Sequence, residues 1–334
     1  MTLLHWEVLA VIVNRSVWSN IILQVYMAAE NFTGDGRQKL LCSEGLAAGL
    51  YSHLTFLLVL NSFLSVTAFL GNALILIALP KESTLFPPSK LLLRSLSTTD
   101  LCVGLISEPL AVTYWMSEVN EHWNICRYVS VASFFSASVL CAVSLMILTA
   151  ISVDRLLALL LGLKYRQVVT LKRTYVIVIS FWIVSTATAA MWFWNPVITL
   201  WYSLIGVPMC LLISTFSYAK IFLKLRHHQN QVQGHVQQPN QTNHLNIARY
   251  KKAVSTAIWL QLTLVACYLP YGIAEALVTS SGRSSPVSHI RFYTATLVHL
   301  NSSLNPILYC WKIVEVRQAV KNIIRQILCH CFSG

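Results

Sequence analysis

Long apolar runs constrain this chain more than any other feature of its sequence. A helix rises about 1.5 Å per residue and needs about 20 residues to cross the hydrocarbon core of a bilayer. Seven stretches reach that length: Ser52–Pro80, Lys90–Met116, Cys126–Leu161, Thr174–Asn195, Val197–Leu225, Ala248–Thr279 and Ser288–Trp311. Inside hydrocarbon every backbone N–H and C=O must be paired within the protein, so such runs are helices or barrel strands. Barrel strands alternate apolar and polar residues, which Leu54–Leu60 and Tyr175–Thr186 do not. Composition agrees, with 56% of 334 residues hydrophobic and 11% charged, against about 25% charged in soluble domains. The chain reads as an all-α membrane protein. A seven-transmembrane helix bundle, residues 52–311, lies between an N-terminal segment, 1–51, and a cytoplasmic tail, 312–334.

The net charge of +12 would suit nucleic acid, but its distribution points to a membrane surface. If the first helix enters from outside, the inner loops and tail carry Lys81, Lys90, Arg94, Lys164, Arg166, Lys172, Arg173, Lys220, Lys224, Arg226, Arg249, Lys251, Lys252, Lys312, Arg317, Lys321 and Arg325. The opposite side has Arg15, Arg37, Lys39, Arg127, Arg283 and Arg291. Cytoplasmic loops are enriched in Lys and Arg, which places the N-terminus outside, and the basic inner face attracts anionic membrane lipid. The apolar stretch Leu9–Val13 lacks the basic start and length of a secretory signal. Asn14-Arg-Ser16 and Asn31-Phe-Thr33 are glycosylation sequons on the outer side.

His227–Asn246 is rich in Gln, Asn and His and without apolar periodicity, and reads as a flexible inner loop. The irregular spacing of His227, His228, His235 and His244 argues against a metal site, which needs fixed ligand geometry. Lys312–Leu328 places Ile313, Val316, Val320, Ile323, Ile324 and Ile327 at helical spacing opposite Arg317, Lys321 and Arg325. That pattern predicts a short amphipathic eighth helix on the membrane surface. Cys329 and Cys331 follow it directly and are candidates for palmitoylation, with free thiols as the alternative.

Charges in hydrocarbon are costly, so each one there needs a reason. The spans contain Asp100, Glu108, Asp154, Arg155, Glu275 and His299, with Asn72, Ser144, Asn301, Ser302 and Asn305. Helical phase brings Asp100, Ser144, Asn301, Ser302 and Asn305 to one depth. A carboxylate among hydroxyl and amide oxygens suits a sodium ion, held by Asp100 and Ser144, or an ion-free water network. A transporter or channel could use the same Asp100 network, but would predict internal repeats or broken helices, and no repeat is found. No nucleophile–base pair, metal cluster or phosphate loop suggests an enzyme.

Short motifs in these spans resemble the rhodopsin-like (class A) G-protein-coupled receptors over roughly residues 50–331. They are Gly71-Asn72, Leu96-Ser-Thr-Thr-Asp100, Asp154-Arg155-Leu156, Trp182, Cys267-Tyr-Leu-Pro270-Tyr271 and Asn305-Pro306-Ile-Leu-Tyr309. They stand for the family's GN, LxxxD, DRY, fourth-helix Trp, CWxP and NPxxY, in order and on the corresponding helices. The resemblance implies a receptor that converts binding of an extracellular ligand into activation of a heterotrimeric G protein. It implies a plasma-membrane, multi-pass protein, with no cofactor apart from the sodium candidate. Arg155 would rest against Asp154 and leave it for the G protein when the sixth helix swings outward. Tyr218 and Tyr309 would support that open state, and Pro270 and Pro306 would kink their helices as hinges.

The departures from the family pattern narrow the expectation. Ser130 stands where the third helix usually starts with a cysteine, and the short outer loop near Asn195–Pro196 has none. The family disulfide is therefore expected to be absent, and a Cys42–Cys126 pair is left open. Tyr268 replaces the family tryptophan, Leu156 the DRY tyrosine, and Cys210 the fifth-helix proline. Together these features resemble the melanocortin, adenosine and lipid receptor branch. Ala137 stands where amine receptors have an Asp, and His299 where opsins have the retinal lysine, which argues against a monoamine or retinal. His299 is shared with adenosine receptors, whose first-helix carboxylate is here Asn61. Glu108, Ala137, Ser138, Tyr268, Tyr271, Glu275 and His299 would line a mixed pocket, made negative by its two glutamates. It would accept a peptide, nucleoside or small cation, and the resemblance implies a lipid-like ligand as a further class, against the alternative that these residues only pack helices or bridge waters.

Overall fold

The computed structural model describes Cys42 and residues 51–81, 85–234, 259, 261–275, 277, 290–312 and 314–332. Tyr51–Ala78 forms the first helix, closed by a 3-10 turn over Leu79–Lys81. The second span is composite: Pro87–Cys102, a π turn Val103–Ser107, then Glu108–Val119. Trp123–Leu161 is the third helix, Leu171–Ala190 the fourth and Pro196–Gly234 the fifth. Residues 261–275 belong to the sixth, and Ile290–Lys312 is the seventh. Val314–Phe332 is the eighth.

The third helix is the axis of the bundle. Half of its most apolar window is buried, against 22–28% for the first, fourth and fifth helices. It packs on the second, fourth and fifth, while the first is wedged between the second and seventh. Among the described residues, four helices are long and apolar enough to span by themselves. The second is divided by its π turn, and the seventh is diluted by buried Thr294, Thr296, His299, Asn301, Ser302, Ser303 and Asn305. The polarity runs inside out for a soluble protein. Phe56, Phe63, Val176, Ile183, Leu212 and Ile307 are exposed, as expected of residues that meet lipid.

Two glycines let neighbouring helices approach closely. A Cβ on Gly71 would lie 3.0 Å from Pro306 Cγ, joining the first helix to the seventh at its proline. A Cβ on Gly104, inside the π turn, would lie 2.8 Å from Ser65 O and from Phe69 N. Ser65 Oγ donates to Gly104 O at 2.7 Å, which clasps the π turn to the first helix.

Two expectations need correction, and one open question is answered. The fifth helix does not end near Leu225 but continues to Gly234 through His227 and His228. Gln-rich sequence without Gly or Pro has no physical reason to stop a helix sooner; His235 and His244 lie outside the described residues. The eighth helix extends through Cys329 and Cys331 instead of ending before them. Its Val316, Ala319, Val320 and Ile323 are buried, while Lys321 and Arg325 are exposed. The open question of Cys42 is answered by a disulfide to Cys126, tying the N-terminal segment to the top of the third helix.

Candidate functional site

At mid-depth, Asp100 has no exposed surface. Ser144 Oγ of the third helix donates to its Oδ1 at 3.0 Å, and Ser302 Oγ of the seventh donates to the same oxygen at 2.9 Å. Asn305 Nδ2 donates to Oδ2 at 2.7 Å. Asn72 joins one step removed, donating to Ala68 O and, at 3.0 Å, to Ser302 O. Asn301 is buried beside this group but its Nδ2 makes no hydrogen bond among the described residues. The carboxylate thus links the second, third and seventh helices. No ion pair to it is present among the described residues. The donor set fits a small hard cation, because Ser144 and Ser302 oxygens keep lone pairs beside the carboxylate.

At the inner end, Asp154 does not rest against Arg155. Ser89 Oγ donates to Asp154 Oδ2 at 2.8 Å, and Tyr165 OH donates to Oδ1 at 2.7 Å. Both oxygens are occupied by hydroxyls, so the expected ion pair is replaced. Tyr165 comes from a short helix, Tyr165–Val168, after the third, and its ring packs 5.1 Å from Phe86. Arg155 is exposed and makes no ion pair among the described residues. The sequence explains this further: no Asp or Glu occurs between Asp154 and Glu275, so neither the fifth helix nor the inner half of the sixth offers it a carboxylate. Tyr218 is buried against Ile221, Leu156 and Leu159. Tyr309 is buried with its hydroxyl unpaired among the described residues. Pro306 lies inside the seventh helix and Pro270 within residues 261–275 of the sixth.

Toward the other end, the pocket candidates divide into separate pairs. Tyr268 is buried and its hydroxyl donates to Cys141 O at 3.4 Å. Tyr271, Ala137 and Ser138 are half-buried. Glu275 is bound by Arg291 of the seventh helix, with Nη2 at 2.7 Å and Nε at 2.9 Å from Oε1. The expected negative potential from Glu275 is therefore cancelled, and Arg291 was missed as its partner. An arginine in the first turn of the seventh helix was the available signal. His299 Nδ1 lies 3.3 Å from Asn61 Oδ1. Asn61 Nδ2 donates to Leu57 O and to Thr296 Oγ1 at 2.9 Å. With Oδ1 as acceptor, His299 carries its proton on Nδ1 and offers Nε2 as an acceptor. Glu108 has no exposed surface, and neither carboxylate oxygen makes a hydrogen bond among the described residues. Ser107 Oγ beside it is also unpaired.

Residues 71–194 and 187–309 match the family described as 7 transmembrane receptor (rhodopsin family). Among similar curated proteins, Melanocortin receptor 4 of Danio rerio is 24% identical, over 87% of this chain and 89% of its own length. Adenosine receptor A2b of Gallus gallus is 26% identical, over 82% and 90%. Melanocortin receptor 5 of Mus musculus is 25% identical, over 80% and 83%. These relatives are receptors rather than enzymes, nothing in the matches favours a transporter, and the molecule is a membrane-embedded G-protein-coupled receptor. With two overlapping family matches covering both halves of the bundle, the chain belongs to the rhodopsin family of seven-transmembrane receptors.

Proposed function

We propose that this receptor signals by rearranging the helices that meet at Asp100, and that Arg155 is the group it presents to the G protein. The observation that carries this reading is the pairing at the two levels. Asp100 holds the second, third and seventh helices by three hydrogen bonds, whereas Arg155 is exposed beside an aspartate committed to Ser89 and Tyr165. An outward movement of the sixth helix about Pro270, with a shift of the seventh about Pro306, opens a crevice beside Arg155. Buried Tyr218 and Tyr309 then turn their hydroxyls toward it. A guanidinium without a carboxylate to leave needs no bond broken first, so the receptor has a measurable signal without ligand.

A sodium ion at Asp100, held with Ser144, would balance the carboxylate and favour the resting packing. Asn72, Ser302 and Asn305 set the orientation of the carboxylate, and Asn301 has a free donor for a water in the same network. The ligand is a peptide, a nucleoside or a lipid-like molecule bound from outside between Glu108, Ala137, Ser138, Tyr268, Tyr271 and His299, with Glu275 and Arg291 at the rim. The relatives named for melanocortin and for adenosine support the first two classes. The N-terminus lies outside the plasma membrane, with glycans on Asn14 and Asn31, and residues 312–334 lie inside, palmitoylated at Cys329 and Cys331. A ligand shifts the two-state bundle only by its differential affinity for the two states.

The test is a set of G-protein dissociation sensors in cells expressing the chain and Arg155→Ala. Cells are challenged with pooled nucleosides, lipids, monoamines and short peptides. One non-amine pool should activate one sensor, and Arg155→Ala should remove both that response and the ligand-free signal. An intact response in Arg155→Ala at equal surface expression would end the assignment of Arg155, and a monoamine response would end that of Ala137.

A further inference from the structure

A groove opens beside the third helix. Arg127, Tyr128, Val131, Ala132 and Phe135 form one wall, Phe193 of the fourth helix's terminal turn forms the other, and the space is about 550 Å³. These third-helix positions recur at one-turn spacing, so they make a single stripe running down the helix. Phe135 and Phe193 close the lower end with ring centroids 6.3 Å apart, and Phe134 packs on Trp192 behind them at 4.8 Å. The fourth and fifth helices are joined by the 3-10 turn Met191–Phe193 followed by Trp194 and Asn195. The Cys42–Cys126 disulfide fixes the helix top next to Arg127.

Depth gives the groove its chemistry. Arg127 precedes Arg155 by 28 residues on one helix, about 42 Å, which matches a bilayer with its headgroup zones, about 40–45 Å. With Arg155 at one surface, Arg127 lies at headgroup level in the opposite leaflet. Phe135, eight residues on, is about 12 Å deeper, among acyl chains. The groove is cationic at its mouth and apolar and aromatic along its length. Arg127 is exposed and forms no ion pair or side-chain hydrogen bond among the described residues. Tyr128, 76% exposed, offers a hydroxyl at the same level.

We propose that this groove is a binding site for a single-chain lipid with a carboxylate head, a fatty-acid anion. The head lies against Arg127 and Tyr128, and the chain descends along Val131, Ala132 and Phe135 to Phe193. A guanidinium matches a carboxylate with two parallel N–H···O bonds. One arginine balances the single charge of a carboxylate, where a phosphate monoester brings up to about two. The volume is in the usual range for small-molecule sites, about 300–1,000 Å³. The assignment holds whichever way the chain is inserted and whatever the enclosed pocket binds.

The test uses the full-length receptor in phosphatidylcholine nanodiscs with three diazirine-bearing probes: palmitate, its methyl ester and lysophosphatidate. Palmitate should label a peptide within residues 127–135 and be competed by unlabelled palmitate, with the ester weaker by about tenfold or more. Arg127→Gln should weaken palmitate by the same factor without changing the ester. Ala132→Trp, which fills the groove and keeps the arginine, should abolish labelling by palmitate and ester alike. Labelling indifferent to head charge, unaffected by Arg127→Gln, located elsewhere, or strongest for lysophosphatidate overturns the proposal, as does no labelling at all. Far-ultraviolet circular dichroism and retention of the disulfide confirm that each variant is folded.

Discussion

Asp100 and Glu108 stand on the same span, both without exposed surface, yet their neighbours treat them in opposite ways. Asp100 receives three hydrogen bonds from two other helices, while Glu108 receives none among the described residues. The segment between them explains how they share a face. In an unbroken α-helix, residues eight apart are turned by about 80° around the axis. The π turn Val103–Ser107 absorbs one residue, with Glu108 N–H bonded to Val103 O, so Glu108 falls about where the seventh residue would, about 20° from Asp100. Pro109 makes this register favourable, because it has no N–H to give the carbonyl four residues back. The difference teaches that the bundle spends its hydrogen-bonding groups on the carboxylate that joins helices, and leaves the other one available.

The largest test of that contrast is Asp100→Ala. Ser144, Ser302 and Asn305 would lose a shared buried acceptor, at about 1–3 kcal/mol for each donor left unpaired. Thermal unfolding in detergent should show a destabilisation of about 3 kcal/mol or more; a melting temperature equal to the parent's would mean the three donors are not carrying the junction. Gly104→Ala comes next, since its Cβ meets backbone atoms of the first helix at 2.8 Å. Forcing the π turn away should cost about 1–3 kcal/mol and lower ligand response by moving Glu108, whereas Gly206→Ala, with no contact nearer than 3.8 Å, should change neither.

Glu108→Met should move stability the other way. Replacing an unpartnered buried carboxylate by an apolar side chain of similar size is expected to raise stability by about 1 kcal/mol or more, while ligand response falls. Loss of stability would show that Glu108 holds the fold, and would remove the contrast. The smallest effect concerns Glu275, the carboxylate with a cationic partner. Arg291 keeps 29% of its side chain exposed, so their coupling should be about 1 kcal/mol. A double-mutant cycle with Glu275→Gln and Arg291→Gln measures it, and a coupling near zero would leave Glu275 free to lend its charge to the pocket.

Much of the candidate site was legible because its parts recur at helical spacing around unmistakable anchors. Asp100, Ser144, Ser302 and Asn305 come together as their depths predicted. Asn301 does not reach the carboxylate, because adjacent helix residues point about 100° apart. The partnering of Asp154 was misread because sequence shows the residue next door but not Tyr165, brought back by a short helix eleven residues on. The Glu275–Arg291 pair was hidden for the same reason: two helices must be aligned before two charges are known to touch.

What the sequence determined by itself was the solvent, the number of spans and the family. These depend on local quantities: apolar length against bilayer thickness, and short motifs whose order survives without any knowledge of packing. Tertiary structure alone decided which polar groups are satisfied. A buried carboxylate, hydroxyl or guanidinium is defined by atoms within about 3 Å, and those come from helices far apart in the chain, set in register by a π turn, two glycine contacts and a disulfide.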